Sequence, residues 1–335
     1  MPLKLVSDWR EMYERTLAVL TGPAPVFYGR IGGSDTDMCM DYLEGLMAHE
    51  SDRQLLGRIR PHRRIIEEYN GYYDKDQQEL SLLRFCNEML ASYKSLTQAS
   101  LVGEKWLTLC FRDNIHPTFW VELGEKAGVY HHLLELIQKG NRDVSNKDVF
   151  LYPFPFIEKT TSHPWSLFNA FREILEDRKV LVVSPFAKTI VRQFPHRAKF
   201  FKNYEYPEFG LTTYRSPITY RGLPDELYPH RNWFSTAEAM KRDIGEIDFD
   251  IALLSCGSYA PPIGDFVCQV LKKKAVYVGG VLQLYFGIMG RRYRNSFFLD
   301  RINPEYFAQA EERDFYLKHV TVEENSATEG FGAYF

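Results

Sequence analysis

The stretch DFDIALLSCGSYAPPIGDFVCQVLKKKAVYVGG, Asp248 to Gly280, decides the fold. It opens with the apolar run Ile251 to Leu254 and breaks at Ser255-Cys256-Gly257. Apolar residues at helical spacing follow, and a second apolar run comes at Ala275 to Val278. A strand, a helix and a second strand in so short a span form a βαβ unit, in which the helix carries the chain back to the starting edge and the strands run parallel. Neither strand alternates polar with apolar residues, so both are expected to be buried on two faces, as in a parallel sheet covered by helices.

Two other segments repeat the pattern. PVFYGRIGGSDTDMCMDYLEGL, from Pro25, and RKVLVVSPFAKTIVRQF, from Arg178, each run from an apolar stretch through a Gly, Ser or Pro break into a helical pattern. The alternation predicts an α/β chain with a Rossmann-like, mainly parallel sheet flanked by helices, with Val180 to Val183, Ile251 to Leu254 and Ala275 to Val278 as inner strands. The segments DQQELSLLRFCNEMLASYKSL and YHHLLELIQKG show three- and four-residue apolar spacing, which predicts a helical insertion over about 50–145, after the first βα unit. Trp9, Met12, Tyr13, Thr16, Leu17 and Leu20 form one stripe of an N-terminal amphipathic helix. With no low-complexity linker and no repeat, the chain reads as a single domain over 1–320 followed by a tail at 321–335.

Composition narrows the functional classes. A formal charge of -3, with 25% charged residues, gives no overall field that would draw nucleic acid or an anionic membrane, so anion recognition must be local. The five cysteines are odd in number and free of CxxC spacing, which excludes a disulfide framework and a zinc ribbon and fits a cytoplasmic setting. The weakly polar run Ala275 to Gly290 is too short to span a bilayer.

In a doubly wound sheet ligands bind beyond the carboxyl ends of the strands, so the breaks after each strand are the candidate site and are expected to converge on one cleft. At the first break, Gly32-Gly33 supplies a turn and Ser34 with Asp37 matches a helix capping box. The same residues also suit a phosphate at the helix start beside Arg30, with Asp35 or Asp37 on a divalent cation. A metal shared by Asp35 and Asp37 requires Asp35 to precede the helix proper, because i and i+2 point to different faces. After Ser184, the segment Pro185-Phe186 leads into Lys188, Thr189 and Arg192; the two cations share a helix face and suit either a diphosphate or solvent. Cys256, Gly257 and Tyr259 follow the third strand. Gly279-Gly280 follows the fourth, with Gln283 in apolar surroundings and the pair Arg291-Arg292 beyond. No GxGxxG, Walker loop, GxSxG or HExxH pattern occurs.

The order of YGRIGGSD, NGYYDKD (Asn70 to Asp76), KVLVVSPFAKTIVRQF and FDIALLSCGSYAPPIGDFVCQVLKKKAVYVGGVLQLYFGIMGRRY resembles that of the GT-D type of glycosyltransferase over about Val26 to Tyr293. The resemblance implies a Rossmann-like enzyme that moves a sugar from a nucleotide-sugar donor to a glycan or glycoprotein acceptor, usually with Mn2+ or Mg2+. It is compatible with a homo-oligomer. The family signature is Arg-Phe-Gly-Asp-Gly-Glu, whose Asp-x-Glu pair meets the metal and the donor diphosphate. Arg30-Ile31-Gly32 matches its first three residues and Asp35 its Glu, whereas Gly33 stands where the Asp belongs. The acidic pair available here is Asp35-x-Asp37. By this resemblance Asp35 and Asp37 are the catalytic and metal residues, and Arg30, the glycine pairs, Ser34, Lys188, Thr189, Arg192, Gln283, Arg291 and Arg292 lie around the donor. The competing readings are a nucleotide- or glycan-binding protein without catalysis, and a methyltransferase or dehydrogenase on the same layered architecture.

Overall fold

The computed structural model describes residues 4–5, 8–31, 34–101, 150–153, 164–294 and 299–317. Eight strands form one sheet: β1 (Lys4–Leu5), β2 (Val26–Ile31), β3 (Gln98–Leu101), β4 (Phe150–Pro153), β5 (Lys179–Ser184), β6 (Gly210–Arg215), β7 (Ile251–Leu254) and β8 (Lys274–Tyr277). Their spatial order is β1-β4-β3-β2-β8-β7-β5-β6, and every neighbouring pair is parallel. The three strands expected from their apolar runs are β5, β7 and β8, in the interior of the sheet.

Helices cover both faces. Labelled among the described residues, they are α1 (Trp9–Thr21), α2 (Ser34–Met47), α3 (Asp52–Ile59), α4 (Arg63–Tyr69), α5 (Ser81–Tyr93), α6 (Leu167–Ile174), α7 (Ala187–Gln193), α8 (Trp233–Gly245), α9 (Ala260–Asp265), α10 (Leu282–Tyr285) and α11 (Glu312–Leu317). Successive side chains of a strand point to opposite faces, and the two cores divide accordingly. Phe27, Leu181, Leu254 and Ala275 pack with Met38, Phe85, Trp233 and Ile263 on the first face. Val26, Val182, Leu253 and Val276 pack with Met12, Phe168, Ile190 and Tyr285 on the second.

The division follows from handedness. Right-handed crossovers that step one way along a sheet put their helices on one face, and those stepping the other way use the opposite face. The connections β2 to β3, β6 to β7 and β7 to β8 step one way, and α2 to α5, α8 and α9 lie on the first face. The connections β4 to β5 and β5 to β6 step the other way, and α6 and α7 lie on the second face. Neighbouring strands β5 and β7 therefore send their chains to opposite faces, and the gap between them opens at the carboxyl edge.

The region 50–145, expected to be helical, supplies α3, α4 and α5 on the first face but also β3, which extends the sheet beside β2. The helix expected at YHHLLELIQKG and the tail at 321–335 lie outside the described residues. The amphipathic stripe from Trp9 to Leu20 forms α1, started by Asp8, whose carboxylate accepts from the Glu11 amide at 2.8 Å. Among the described residues no helix is long and apolar enough to cross a membrane.

Candidate functional site

One cleft lies at the carboxyl edge of the sheet. The space within it open to a water-sized group is about 100 Å³, and its whole empty volume, open mouth included, is about 790 Å³. Arg30 from the end of β2, Pro185 and Phe186 after β5, Ser255 and Cys256 after β7, and Gly279 and Gly280 after β8 all face it. Three of the four expected breaks thus meet in one place. The fourth, Gly32-Gly33, lies outside the described residues, but Arg30 brings the end of its strand to the same cleft.

Arg30 is the charged side chain among the described residues that line the cleft. Its guanidinium lies over the Tyr277 ring, 5.4 Å from the centroid, a cation–π distance. It also passes close over Gly279, whose φ is +74°. A Cβ at 279 would come within 2.5 Å of the guanidinium nitrogen Nη1, so glycine is required here by both torsion and space. Behind Arg30, Asp35 is 5% exposed. Burial raises its carboxyl to about 6, against the opposing pull of Arg30.

The opposite wall is built from two segments that sequence reading did not assign to the site. Tyr69, Asn70 and Gly71 follow α4, and Ser216 to Tyr220 follow the edge strand β6. Thr219 Oγ1 donates to the Gly71 carbonyl at 2.5 Å and lies 2.8 Å from the Tyr259 hydroxyl, which stitches the two segments to the β7 loop. Asn70 is the hub. Its side-chain oxygen accepts from the Ser34 hydroxyl, and its backbone carbonyl accepts from the Ser258 amide at 3.0 Å. That carbonyl would sit 2.9 Å from a Cβ at position 257, which accounts for Gly257 with φ +60°. The Asn-Gly pair of NGYYDKD is the signal that could have placed a turn here.

Several expected site residues are elsewhere. The α2 helix already includes Ser34 and Asp35, so Ser34 is no N-cap and its hydroxyl is spent on Asn70. Asp35 is buried while Asp37 is exposed. The two carboxylates point to different faces of one helix turn and do not fit a shared Mn2+ or Mg2+. Among the described residues no group of three His, Cys, Asp or Glu side chains converges either. Lys188 and Arg192 do not line the cleft, and both pair with Glu311, Lys188 Nζ at 2.8 Å. Thr189 is buried against Glu312: its hydroxyl donates to Oε2 at 2.5 Å, and the Lys188 and Thr189 amides donate to Oε1 at 3.0 and 3.2 Å.

Gln283 is buried as well, and its Nε2 donates to the Ile288 carbonyl at 3.4 Å, holding the turn after α10. Arg291 opens a short 3-10 turn ending at Tyr293 and does not line the cleft. The Arg292 side chain lies outside the described residues. Cys256 lines the cleft, but burial pushes its thiol well above the ordinary range, so it is protonated at neutral pH and is no thiolate nucleophile.

The arrangement offers one guanidinium for a phosphate, the Ser255 hydroxyl for a hydrogen bond, and the rings of Tyr69, Tyr220 and Tyr277 for a planar or apolar group. Comparison with family models, with curated proteins and with solved structures found no match.

Proposed function

We propose that the chain binds a nucleotide-sugar at this cleft and transfers the sugar to a hydroxyl acceptor. The observation that carries the reading is Arg30 at the end of β2, held by Tyr277 and Gly279 in the cleft that also takes in the crevice between β5 and β7. Crevices of this kind receive nucleotides in doubly wound sheets, and a fixed cation there meets the charge that grows on a phosphate leaving group. Tyrosine rings suit the base, and the Ser255 hydroxyl suits a ribose or sugar oxygen. The sequence resemblance to GT-D glycosyltransferases supports the same choice. Asp35 enters as a positioning residue that acts through Arg30, since burial keeps it off the cleft surface. No step is assigned to a metal, because Asp35 and Asp37 diverge.

Titration calorimetry with UDP-glucose, UDP-N-acetylglucosamine and GDP-mannose, each with and without Mn2+, tests the reading. Micromolar binding of one of them, weakened at least tenfold by Arg30→Ala, is expected. No binding by any nucleotide-sugar or free nucleotide would overturn it. The buried position of Asp35 favours a second reading, binding without turnover, and release of free sugar from the bound donor separates the two.

A further inference from the structure

Asn70 lines the cleft with a single polar atom left to offer. Its backbone amide donates to the Ile66 carbonyl at 3.1 Å, where α4 ends, and its carbonyl accepts from the Ser258 amide at 3.0 Å. Its side-chain oxygen accepts from the Ser34 hydroxyl. The remaining atom, Nδ2, makes no hydrogen bond among the described residues, yet it is not closed off from solvent. A primary amide nitrogen donates and does not accept. We propose that Asn70 selects the base of the bound nucleotide: Nδ2 donates to a ring carbonyl, so the cleft takes a uracil or guanine nucleotide in preference to a cytosine or adenine one. The inference rests on the nucleotide-sugar reading above and names the class of donor within it.

Two observations point to a base at this atom. The first is its surroundings. The wall formed by Tyr69 to Gly71 and Ser216 to Tyr220 carries no charged side chain, and the cation of the cleft, Arg30, comes from another wall. Phosphate charge is drawn to Arg30, and the neutral part of the ligand is left to face Asn70. Tyr69 beside it is 37% exposed, and Pro217, Ile218 and Tyr220 continue the wall with apolar and ring surface, which suits a flat aromatic group.

The second is that the amide is held. Its backbone is tied on both sides, and the next carbonyl, that of Gly71, is tied to Thr219 Oγ1 at 2.5 Å. Turning the side chain over would take the oxygen away from the Ser34 hydroxyl. An amide free to turn could offer oxygen or nitrogen and would read nothing, whereas a fixed donor discriminates. Uracil carries a carbonyl at C4 where cytosine carries an amino group, and guanine carries a carbonyl at C6 where adenine carries an amino group. An amino group set against Nδ2 brings two donors together and leaves both without a partner.

Titration calorimetry with UDP, CDP, GDP and ADP tests the assignment. The tightest of the four should be UDP or GDP, by about tenfold or more over its amino counterpart. Asn70→Asp keeps an oxygen for Ser34 and replaces Nδ2 with an acceptor of the same size, so it should cut that preference at least fivefold or reverse it. The added negative charge weakens all four ligands together and cancels in the ratio. Ser34→Ala, which frees the amide to turn, should relax the preference without reversing it, and Arg30→Ala should weaken every ligand and keep the preference. Thermal melts establish that each variant is folded. CDP or ADP as the tightest ligand, a preference well under tenfold, or one that Asn70→Asp leaves unchanged would overturn this inference alone, with nucleotide binding intact. No binding by any of the four would overturn the nucleotide-sugar reading and this inference with it.

Discussion

The Arg30 guanidinium lies over the ring of Tyr277, 5.4 Å from its centroid, and the two residues come from the neighbouring parallel strands β2 and β8. The contact holds a cation at the cleft without a side chain from position 279, and that absence is what makes room for it. Gly279→Ala would place a methyl group 2.5 Å from Nη1 at a φ of +74°. The expected cost is about 1–2 kcal/mol from the backbone alone, with nucleotide affinity down about tenfold. Urea unfolding and calorimetry measure the two effects, and an unchanged affinity in a folded variant would remove Arg30 from the site.

Asp35 gives a pH signature with a definite sign. Its carboxyl is raised to about 6 in the folded protein from the ordinary 3.8. Between these values the folded state holds a proton that the unfolded chain has lost, so stability falls as pH rises through that window and stays lower above it. The full displacement corresponds to about 3 kcal/mol at most. Asp35→Asn should therefore be more stable than the parent at pH 7.5, by up to that amount, and no more stable at pH 4. Its nucleotide affinity should fall severalfold, because Arg30 loses the carboxylate behind it. Parallel urea curves at both pH values decide; equal gains at both would mean that Asp35 is not carrying a buried charge.

The Thr189–Glu312 contact separates stability from binding. Thr189→Val leaves the buried Glu312 carboxylate without its 2.5 Å donor, at an expected cost of about 1.5–3 kcal/mol. Lys188→Ala and Arg192→Ala remove only partners of Glu311 at the surface, where Lys188 is 76% exposed, and should stay within about 0.5 kcal/mol of the parent. None of the three should alter nucleotide affinity more than twofold. A tenfold loss in either basic variant would return that residue to the donor site.

Cys256 should resist alkylation at pH 8, because burial holds the thiol in its protonated form. Mass spectrometry after iodoacetamide treatment of the folded protein reads this directly, and stoichiometric modification at Cys256 would contradict the burial described here.

The strands that sequence reading identified are those whose burial is written in consecutive residues. Val180 to Val183 and Ile251 to Leu254 are apolar at each position because helices cover both of their faces. The edge strand β6, GLTTYR, is half-exposed throughout and carries no such run, and β3 is a four-residue strand that follows the helix α5. The same divide runs through the site. Loops that follow apolar strands were placed at the cleft from sequence. The contribution of Asn70 was not legible, because it acts through a backbone carbonyl and an amide oxygen that meet partners 36 or more positions away. Lys188 and Arg192 read as phosphate ligands because Glu311, which occupies them, is more than a hundred residues distant in the chain. Spacing reports neighbours along a helix and says nothing of a carboxylate that arrives later.

The position of β8 has a consequence for how the protein is made. It is the last strand among the described residues and lies between β2 and β7. A nascent chain emerging from the ribosome carries two half-sheets, each with an open edge, until residues 274–277 are synthesised and slot between them. The pairing of β2 with β8 spans most of the molecule, and contacts of such separation form slowly. Tyr277, and with it the ring on which Arg30 rests, arrives in that final step. A truncated or stalled chain would hold a cation with no platform, and an unpaired edge that chaperones and proteases can recognise.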